Sequence, residues 1–344
     1  TGLILSPHYG ASKLRWYLDQ VDEVRRDRDG GYLAFGPLSS FILFHLLQGQ
    51  PLVVDHVNAS RTQLMNIAAL DWDEWLLDLF GIERESLPRC RPICQEYGFL
   101  GAGKIPVTAV NGDQNAAIFS LGRPGRNEAM VNIGSGAFIL APTSTKMMRH
   151  PALLTSLANS SEDRSDYIIE GTVNGAGAAI AWASNQWNLP DMDKHLSNWL
   201  DRESDPPLFI NTVGGLGSPW WQAGQVPTLL GHGEPWQRGV AVAESIVFML
   251  QANLEALLET GVVVKRLQIS GGLARFDGMC QRLADLASRP VYRPAETEAT
   301  ARGIAWLAAG CPSHWPKPGR GRVFRPQGNQ RLLERYRKFR QVLG

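Results

Sequence analysis

The stretch Val264-Lys-Arg-Leu-Gln-Ile-Ser-Gly-Gly-Leu-Ala-Arg-Phe-Asp-Gly-Met-Cys-Gln-Arg-Leu-Ala-Asp-Leu-Ala287 decides the fold class. Val264 to Ser270 predicts a strand, Gly271-Gly272 a turn, and Phe276 to Ala287 a helix. Downstream the pattern repeats, with Val291 to Arg293 as a strand and Ala299 to Ala309 as a helix. Upstream lie a long helix from Val240 to Thr260, a strand from Leu208 to Asn211 and a helix from Gly175 to Trp187. Before these come Ala129 to Ile133, a Gly-Ser-Gly turn, Ala137 to Ala141 and Tyr167 to Glu170, which predict a β-meander. Strands in a run, then strands alternating with helices, make an α/β mixed sheet with helices on its faces.

The front of the chain has a different rhythm. From Ala11 to about Leu47 apolar residues recur at helical spacing, and Leu70 to Phe80 does so again after Asp71, the expected N-cap. A Pro- and Gly-containing run, Leu87 to Lys104, precedes Ile105-Pro-Val-Thr-Ala-Val110, which is short and β-branched like a buried strand. That strand ends at Asn111-Gly112-Asp113, and Gln114 to Leu121 predicts a helix. Gly122-Arg-Pro-Gly125 then breaks the chain, so the expected units are 1–124, 125–310 and a basic extension, 311–344.

The length of 344 residues fits two domains, and 34 Lys plus Arg against 33 Asp plus Glu leave a net charge of +1. A small-molecule partner is therefore expected, rather than nucleic acid or a membrane. The apolar stretches Phe41 to Leu47 and Val240 to Leu250 are interrupted by His45 and Glu244 and fall short of the ~20 residues of a span. Cys90, Cys94, Cys280 and Cys311 lack metal or disulfide-framework spacing, the seven histidines are scattered, and a reducing, cytoplasmic setting is expected, with no metal site built from protein side chains. Between Lys317 and Arg340 nine basic residues accompany one acid, Glu334, but Leu332, Leu333, Tyr336 and Phe339 form a helical stripe. A docked terminal helix with its basic face in water is expected, in preference to an RNA or lipid contact.

Asp113 stands where a strand gives way to a helix, the edge at which open α/β sheets place ligands. Its carboxylate suits a general base, and equally suits a cap for the following helix. Gly134-Ser135-Gly136 lets backbone N–H groups and a hydroxyl approach a phosphate, although an ordinary hairpin turn has the same composition. Gly271-Gly272 and the pair Gly175 and Gly177 each follow a strand and open a helix, an arrangement that receives anions. No one of these turns is specific; their recurrence at strand ends is the signal.

Taken in order, these segments resemble the FGGY family of carbohydrate kinases, and the first part most resembles glycerol kinases. The resemblance rests on Thr1-Gly-Leu-Ile-Leu-Ser-Pro7, Asn58-Ala-Ser-Arg-Thr62, Leu70-Asp-Trp-Asp73, Glu96-Tyr-Gly98 and Gly112-Asp-Gln114. It continues through Gly134-Ser-Gly136 with Phe138, Glu170-Gly171, Gly215-Leu-Gly217, Ser270-Gly-Gly272 and Glu298-Ala-Thr-Ala301, as far as about Gly310. It implies two actin-like, ribonuclease-H-like domains with ATP and Mg²⁺ in the cleft between them, and Asp113 as the base acting on a polyol or sugar hydroxyl. It further implies that Gln114 contacts substrate, that Ser135 meets the transferred phosphate, that Gly134, Gly177 and Gly272 follow the nucleotide, and that Phe138 walls the substrate.

The departures are specific. Pro7-His8-Tyr9 puts His8 where glycerol kinases carry a substrate-contacting tyrosine, Ala181 and Phe276 replace a Gln and an Asn near the nucleotide, Leu38-Ser39 replaces an Asp, and Gln222-Ala-Gly-Gln-Val226 replaces an Asp-Pro segment. The family's first phosphate loop and its Arg-Glu and Trp substrate contacts lie upstream of the point matched by Thr1. The expectation is accordingly a first domain that is incomplete, a chain inactive and poorly soluble by itself, and a substrate left open among small polyols and sugars. A catalytically idle sugar or nucleotide sensor is the alternative, and homo-oligomerisation is left open.

Overall fold

The computed structural model describes residues 1–344 except Ala102, Glu203, Ser204, Thr297 and Lys317. Lys317, which opens the basic run, and Ala102, within the Pro- and Gly-containing run 87–104, thus lie outside the described residues. The centre is a seven-stranded sheet in the order Arg322–Phe324, Val291–Arg293, Arg266–Ser270, Glu128–Ile133, Ala137–Ser144, Ser165–Val173, Leu154–Ser160. Arg266–Ser270 is parallel to both neighbours and every other pair is antiparallel. The meander is present, with one strand more than its sequence suggested. Leu154–Ser160 pairs outside Ser165–Val173 and is almost wholly buried. Its Thr-Ser-Leu-Ala-Asn-Ser composition hides it from a search for β-branched runs, and its burial comes from elements distant in sequence. His56 Nδ1 lies 3.0 Å from Ser160 Oγ, and Asn115 Nδ2 donates to Leu157 O at 2.5 Å.

Alternation along the strands divides the interior into two cores. Val131 and Ile139 face one, and Met130 and Leu140 face the other. The first is filled by Pro235–Glu259, a helix opened by Pro235 and by a reciprocal cap between Glu234 and Gln237. By length and composition this helix is long and apolar enough to cross a membrane, which corrects the reading that its apolar stretch falls short; 94% of its most apolar window is buried inside the fold. Its one buried acid, Glu244, is held by Arg335 at 2.7 Å and Arg282 at 3.2 Å. The terminal helix Gln330–Leu343 docks through Leu332, Tyr336 and Phe339 as expected, but Arg335 turns inward with them, so its basic face is not all in water.

The second core is shared by the front region and the sheet. Val57, Leu64 and Phe119 meet Met130, Leu140 and Ile168 there, and Trp306 of the helix Ala299–Ala308 stacks on Phe119 with ring centroids 5.2 Å apart. A Cβ on Gly303 would fall 1.7 Å from Ala116 O, so only glycine permits this crossing. Helix Asp113–Ala117 stops short of the expected Leu121 because the chain tightens into Phe119 N–H to Ala116 O and Ser120 N–H to Ala117 O bonds.

The front region is built from helices and two-stranded pairs. Helices Gly10–Gln20, Asp22–Asp29 and Leu38–Leu46 occupy the expected 11–47, the first beginning one residue earlier. The helix expected over 70–80 begins at Glu74, with Asp73 rather than Asp71 as its cap; Asp71 belongs to a two-residue strand after Leu70, whose φ is +60°. Asp73 Oδ1 accepts from Leu76 N–H at 3.2 Å. Ile105–Ala109 pairs only with Cys94–Leu100, and Ile105 is 59% exposed, so this is a surface hairpin and not the buried strand its β-branched residues suggested. Cys94–Leu100 itself falls in the Pro- and Gly-containing run 87–104, for which no strand was expected.

Candidate active site

Asp113 is the first residue of its helix and is exposed. Gly112 is the cap position and offers no side chain, while Asp113 Oδ1 accepts from the Gln114 N–H at 2.7 Å. Asp113 is therefore not the cap of this helix, and its carboxylate takes only the adjacent N–H. Asp113 O accepts from Thr300 Oγ1 at 3.1 Å, which joins this segment to the start of the helix Ala299–Ala308.

The glycine turns lie at one edge of the sheet. Ser270 is in register with Asn132, so Gly271 and Gly134 leave parallel strands side by side. Gly271 has φ +92°, and a Cβ there would meet Ile133 O at 2.6 Å; Gly272 has open space around its Cβ position. Gly134-Ser135-Gly136 forms the turn between Glu128–Ile133 and Ala137–Ser144, with Ser135 exposed. The start of the helix Gly177–Gln186 packs on that turn, its Gly177 and Ala178 N–H groups donating to Gly134 O and Ser135 O at 2.9 and 3.0 Å. A Cβ on Gly177 would sit 2.8 Å from Gly134 O, so glycine is needed for this approach. These N–H groups are engaged within the protein and hold the turn's shape, which differs from the anion-receiving helix end the sequence pattern suggested.

Beside Gly271 and Gly272 opens a cavity of about 620 Å³, lined also by Ser270, Arg275, Arg293, Glu298, Arg320 and Arg322. Glu298 lies two residues before Thr300, so the cavity and Asp113 adjoin the same helix start. Arg293 and Arg322 both pair with Asp277, and Arg275 lies over the Phe276 ring, 4.7 Å from its centroid. These arginines were missed as site residues. The basic run is a signal for Arg320 and Arg322 alone, which precede the terminal helix to which the run was assigned and line the cavity at the glycine turn. A second cavity, about 500 Å³, sits at the other ends of the same strands, by Glu128, Arg266 and the Gly122–Gly125 break, away from the Gly134–Gly136 and Gly271-Gly272 turns.

Residues 1–120 match the N-terminal domain of the FGGY family of carbohydrate kinases, and residues 129–310 match its C-terminal domain. The chain belongs to the FGGY family. A glycerol kinase of Shewanella frigidimarina is 34% identical over 321 residues, and a glycerol kinase of a Geobacter species 34% over 331; each match covers 90% of this chain and 64% of the relative. The chain therefore spans somewhat under two thirds of the length of these curated relatives. Its fold is similar to that of Plasmodium falciparum glycerol kinase solved with ADP, with a TM-score of 0.86 at 23% identity, covering 100% of this chain and 72% of that one. A xylulose kinase of Lactobacillus acidophilus follows at TM-score 0.83 and 18% identity, over 99% and 73% of the two chains. The actin-like α/β architecture of FGGY kinases is thus present.

Other residues of the FGGY resemblance fall into place less evenly. Gln114 is half-buried next to Asp113, and Phe138 is half-buried on the strand leaving the Gly-Ser-Gly turn. His8 is exposed and meets Tyr9 edge-on, with ring centroids 5.5 Å apart. Phe276 is buried in the first core, and Ala181 is exposed on its helix. Arg61, quoted above only within a motif, forms two parallel 2.7 Å bonds to buried Glu170. Tyr9 shares a hydrogen bond with that guanidinium, and burial above all raises the pKa of its phenol. Among the described residues no three His, Cys, Asp or Glu side chains are grouped to hold a metal.

Proposed function

We propose that this chain carries the base and much of the nucleotide site of an ATP-dependent kinase acting on a hydroxyl of a small polyol or sugar, and that it divides near Gly122–Gly125. The observation that carries the reading is the shared position of Asp113 and the Gly271-Gly272 cavity at the start of one helix. In this reading Asp113 accepts the proton as the substrate oxygen attacks the γ-phosphorus of ATP and ADP leaves. Gln114, Phe138 and His8 line the substrate side. Gly134, Ser135 and Gly136 face the moving phosphate, and Gly177 supports that turn from behind. The nucleotide lies along Gly271 and Gly272, where the open Gly272 and the flanking arginines suit a charged, flat ligand.

Mg²⁺ bound with the nucleotide would neutralise charge on its phosphates. Such an ion keeps most of its waters and needs only one or two carboxylates besides the phosphates, a requirement that exposed Asp113 meets.

The test is ADP release with ATP and Mg²⁺ across glycerol, erythritol, xylulose, ribulose and gluconate, on the longest natural form that contains these residues. One alcohol is expected to drive release, and Asp113→Asn to lower the rate by about 10²–10⁴-fold. Nucleotide or sugar binding with no release for any alcohol would replace the kinase by the idle sensor.

A further inference from the structure

Arg61 directly follows the helix His56–Ser60, and its guanidinium reaches Glu170 on the strand Ser165–Val173. Nη1 and Nη2 each donate to one carboxylate oxygen at 2.7 Å, a parallel fork that fixes direction as well as distance. Glu170 is 1% exposed, so its charge is held by Arg61 rather than by water. Ser156 Oγ donates to Glu170 Oε2 at 3.4 Å and accepts from Asn115 Nδ2 at 3.4 Å, while the same Asn115 nitrogen donates to Leu157 O at 2.5 Å. Ser156 and Asn115 are as buried as Glu170. A chain of polar groups thus runs through the interior from Arg61 to the third residue of the helix Asp113–Ala117. The helix His56–Ser60 also backs the residue before Asp113, since a Cβ on Gly112 would fall 3.1 Å from Val57 Cγ1.

We propose that Arg61 and Glu170 are positioning residues for Asp113: their buried fork sets the helix His56–Ser60 and, through Ser156 and Asn115, the seat of the short helix that Asp113 opens. This rests on the reading of Asp113 as the base. Asp113 has little of its own to hold it, because its helix is five residues long, the cap position is a glycine, and its carboxylate takes only the adjacent Gln114 N–H. Its direction is set by what lies behind it. Asn115 pins the helix to the strand Leu154–Ser160 on one side, and Thr300 Oγ1 on Asp113 O pins it to the helix Ala299–Ala308 on the other. A general base acts only within hydrogen-bond reach of its proton, and a misplacement of about 1 Å costs about 10²-fold in rate. The fork is suited to this task. Two planar groups joined by two parallel bonds permit one geometry, whereas a lysine in place of Arg61 would supply the charge without the direction.

The test compares Arg61→Lys, which keeps the charge and loses the fork, Glu170→Gln, which keeps the shape and loses the charge, and Ser156→Ala, which keeps the fork and cuts its link to Asn115. In the longest natural form, with the alcohol that drives ADP release, the first two are expected to lower kcat by about 10²-fold and the third by about tenfold, each with KM for the alcohol unchanged. A second measurement needs no turnover. The Ala116 N–H, bonded to Gly112 O at 2.8 Å, is expected to exchange with deuterium about tenfold faster in all three, while the Leu250 N–H of the long helix keeps its rate. Should Glu170→Gln fail to fold, Arg61→Lys and Ser156→Ala carry both measurements. Unchanged kcat beside an active parent, a rise in KM in place of the fall in kcat, or Ala116 exchange that stays constant or rises equally with that of Leu250 would overturn the proposal. A parent that releases no ADP with any alcohol would sink the kinase reading instead, and exchange at Ala116 then decides by itself whether these residues hold the turn.

Discussion

Helices Leu38–Leu46 and Pro235–Glu259 are both apolar on most sides, yet they end in opposite environments. The long helix is buried almost continuously from Gly239 to Leu254, against a sheet completed by seven strands. The short one buries Leu43 but exposes Leu38, Phe41, Ile42 and Leu46, between 43% and 73% of each. Nothing among the described residues covers that face. Composition states which side chains gain by leaving water; whether they leave depends on a partner surface, and the sheet supplies one only to the long helix.

Three experiments would break or sharpen this contrast. The largest effect is expected at Phe248, 1% exposed and packed against Tyr336 and Phe339. Phe248→Ala should cost about 3–5 kcal/mol in denaturant unfolding, from lost transfer energy and the cavity left behind. A loss under about 1 kcal/mol would mean that the first core is loosely packed.

Next comes a pair of opposed titrations in the front region. Burial pushes Asp55 up to about 6 and His56 down to about 4. The contribution of Asp55 is fully present below its unfolded pKa near 4 and is lost as the pH rises through about 6. That of His56 is fully present above its unfolded pKa near 6.5 and is lost as the pH falls through about 4. The two slopes oppose one another, and each amounts to about 3 kcal/mol at ~1.4 kcal/mol per pKa unit. Asp55→Asn, which retains an acceptor for Asn58 N–H, should therefore gain about 3 kcal/mol on the parent chain between pH 4 and 6. His56→Asn should fall behind the parent chain by a similar amount over about pH 4 to 6.5. Parallel stability profiles for the parent and both variants would show that neither group is perturbed.

The smallest effect is expected on the uncovered helix. Phe41→Ser should change unfolding stability by under about 0.5 kcal/mol, because Phe41 is 62% exposed, while raising the concentration at which the chain stays monomeric by light scattering. A loss near that of Phe248→Ala would show that this face is covered after all.

Much of the fold was legible in local patterns. The alternation from Val264 to Ala309 appears with Val291–Arg293 at its predicted bounds and the helix Ala299–Ala308 shorter by one residue. Leu154–Ser160 was not legible, because small polar residues carry no strand period and this strand is buried by the helix His56–Ser60 and by Asn115. Ile105–Ala109 erred the other way: its β-branched residues signal a strand correctly but cannot say how many neighbours it has.

The candidate site divides along the same line. Asp113 and the glycine turns were visible because a strand end followed by a backbone turn is a local feature that sequence order preserves. The sequence by itself thus determined the α/β class, the family and the residues able to carry chemistry. Only the tertiary structure decided which of them lie together. It engaged the N–H groups of Gly177 and Ala178 in holding the Gly-Ser-Gly turn, brought Arg320 and Arg322 to the Gly271-Gly272 cavity, and turned Arg335 inward to Glu244. Each of these joins residues far apart in the chain, and packing geometry, which local propensity does not encode, selects such pairings from the many that composition allows.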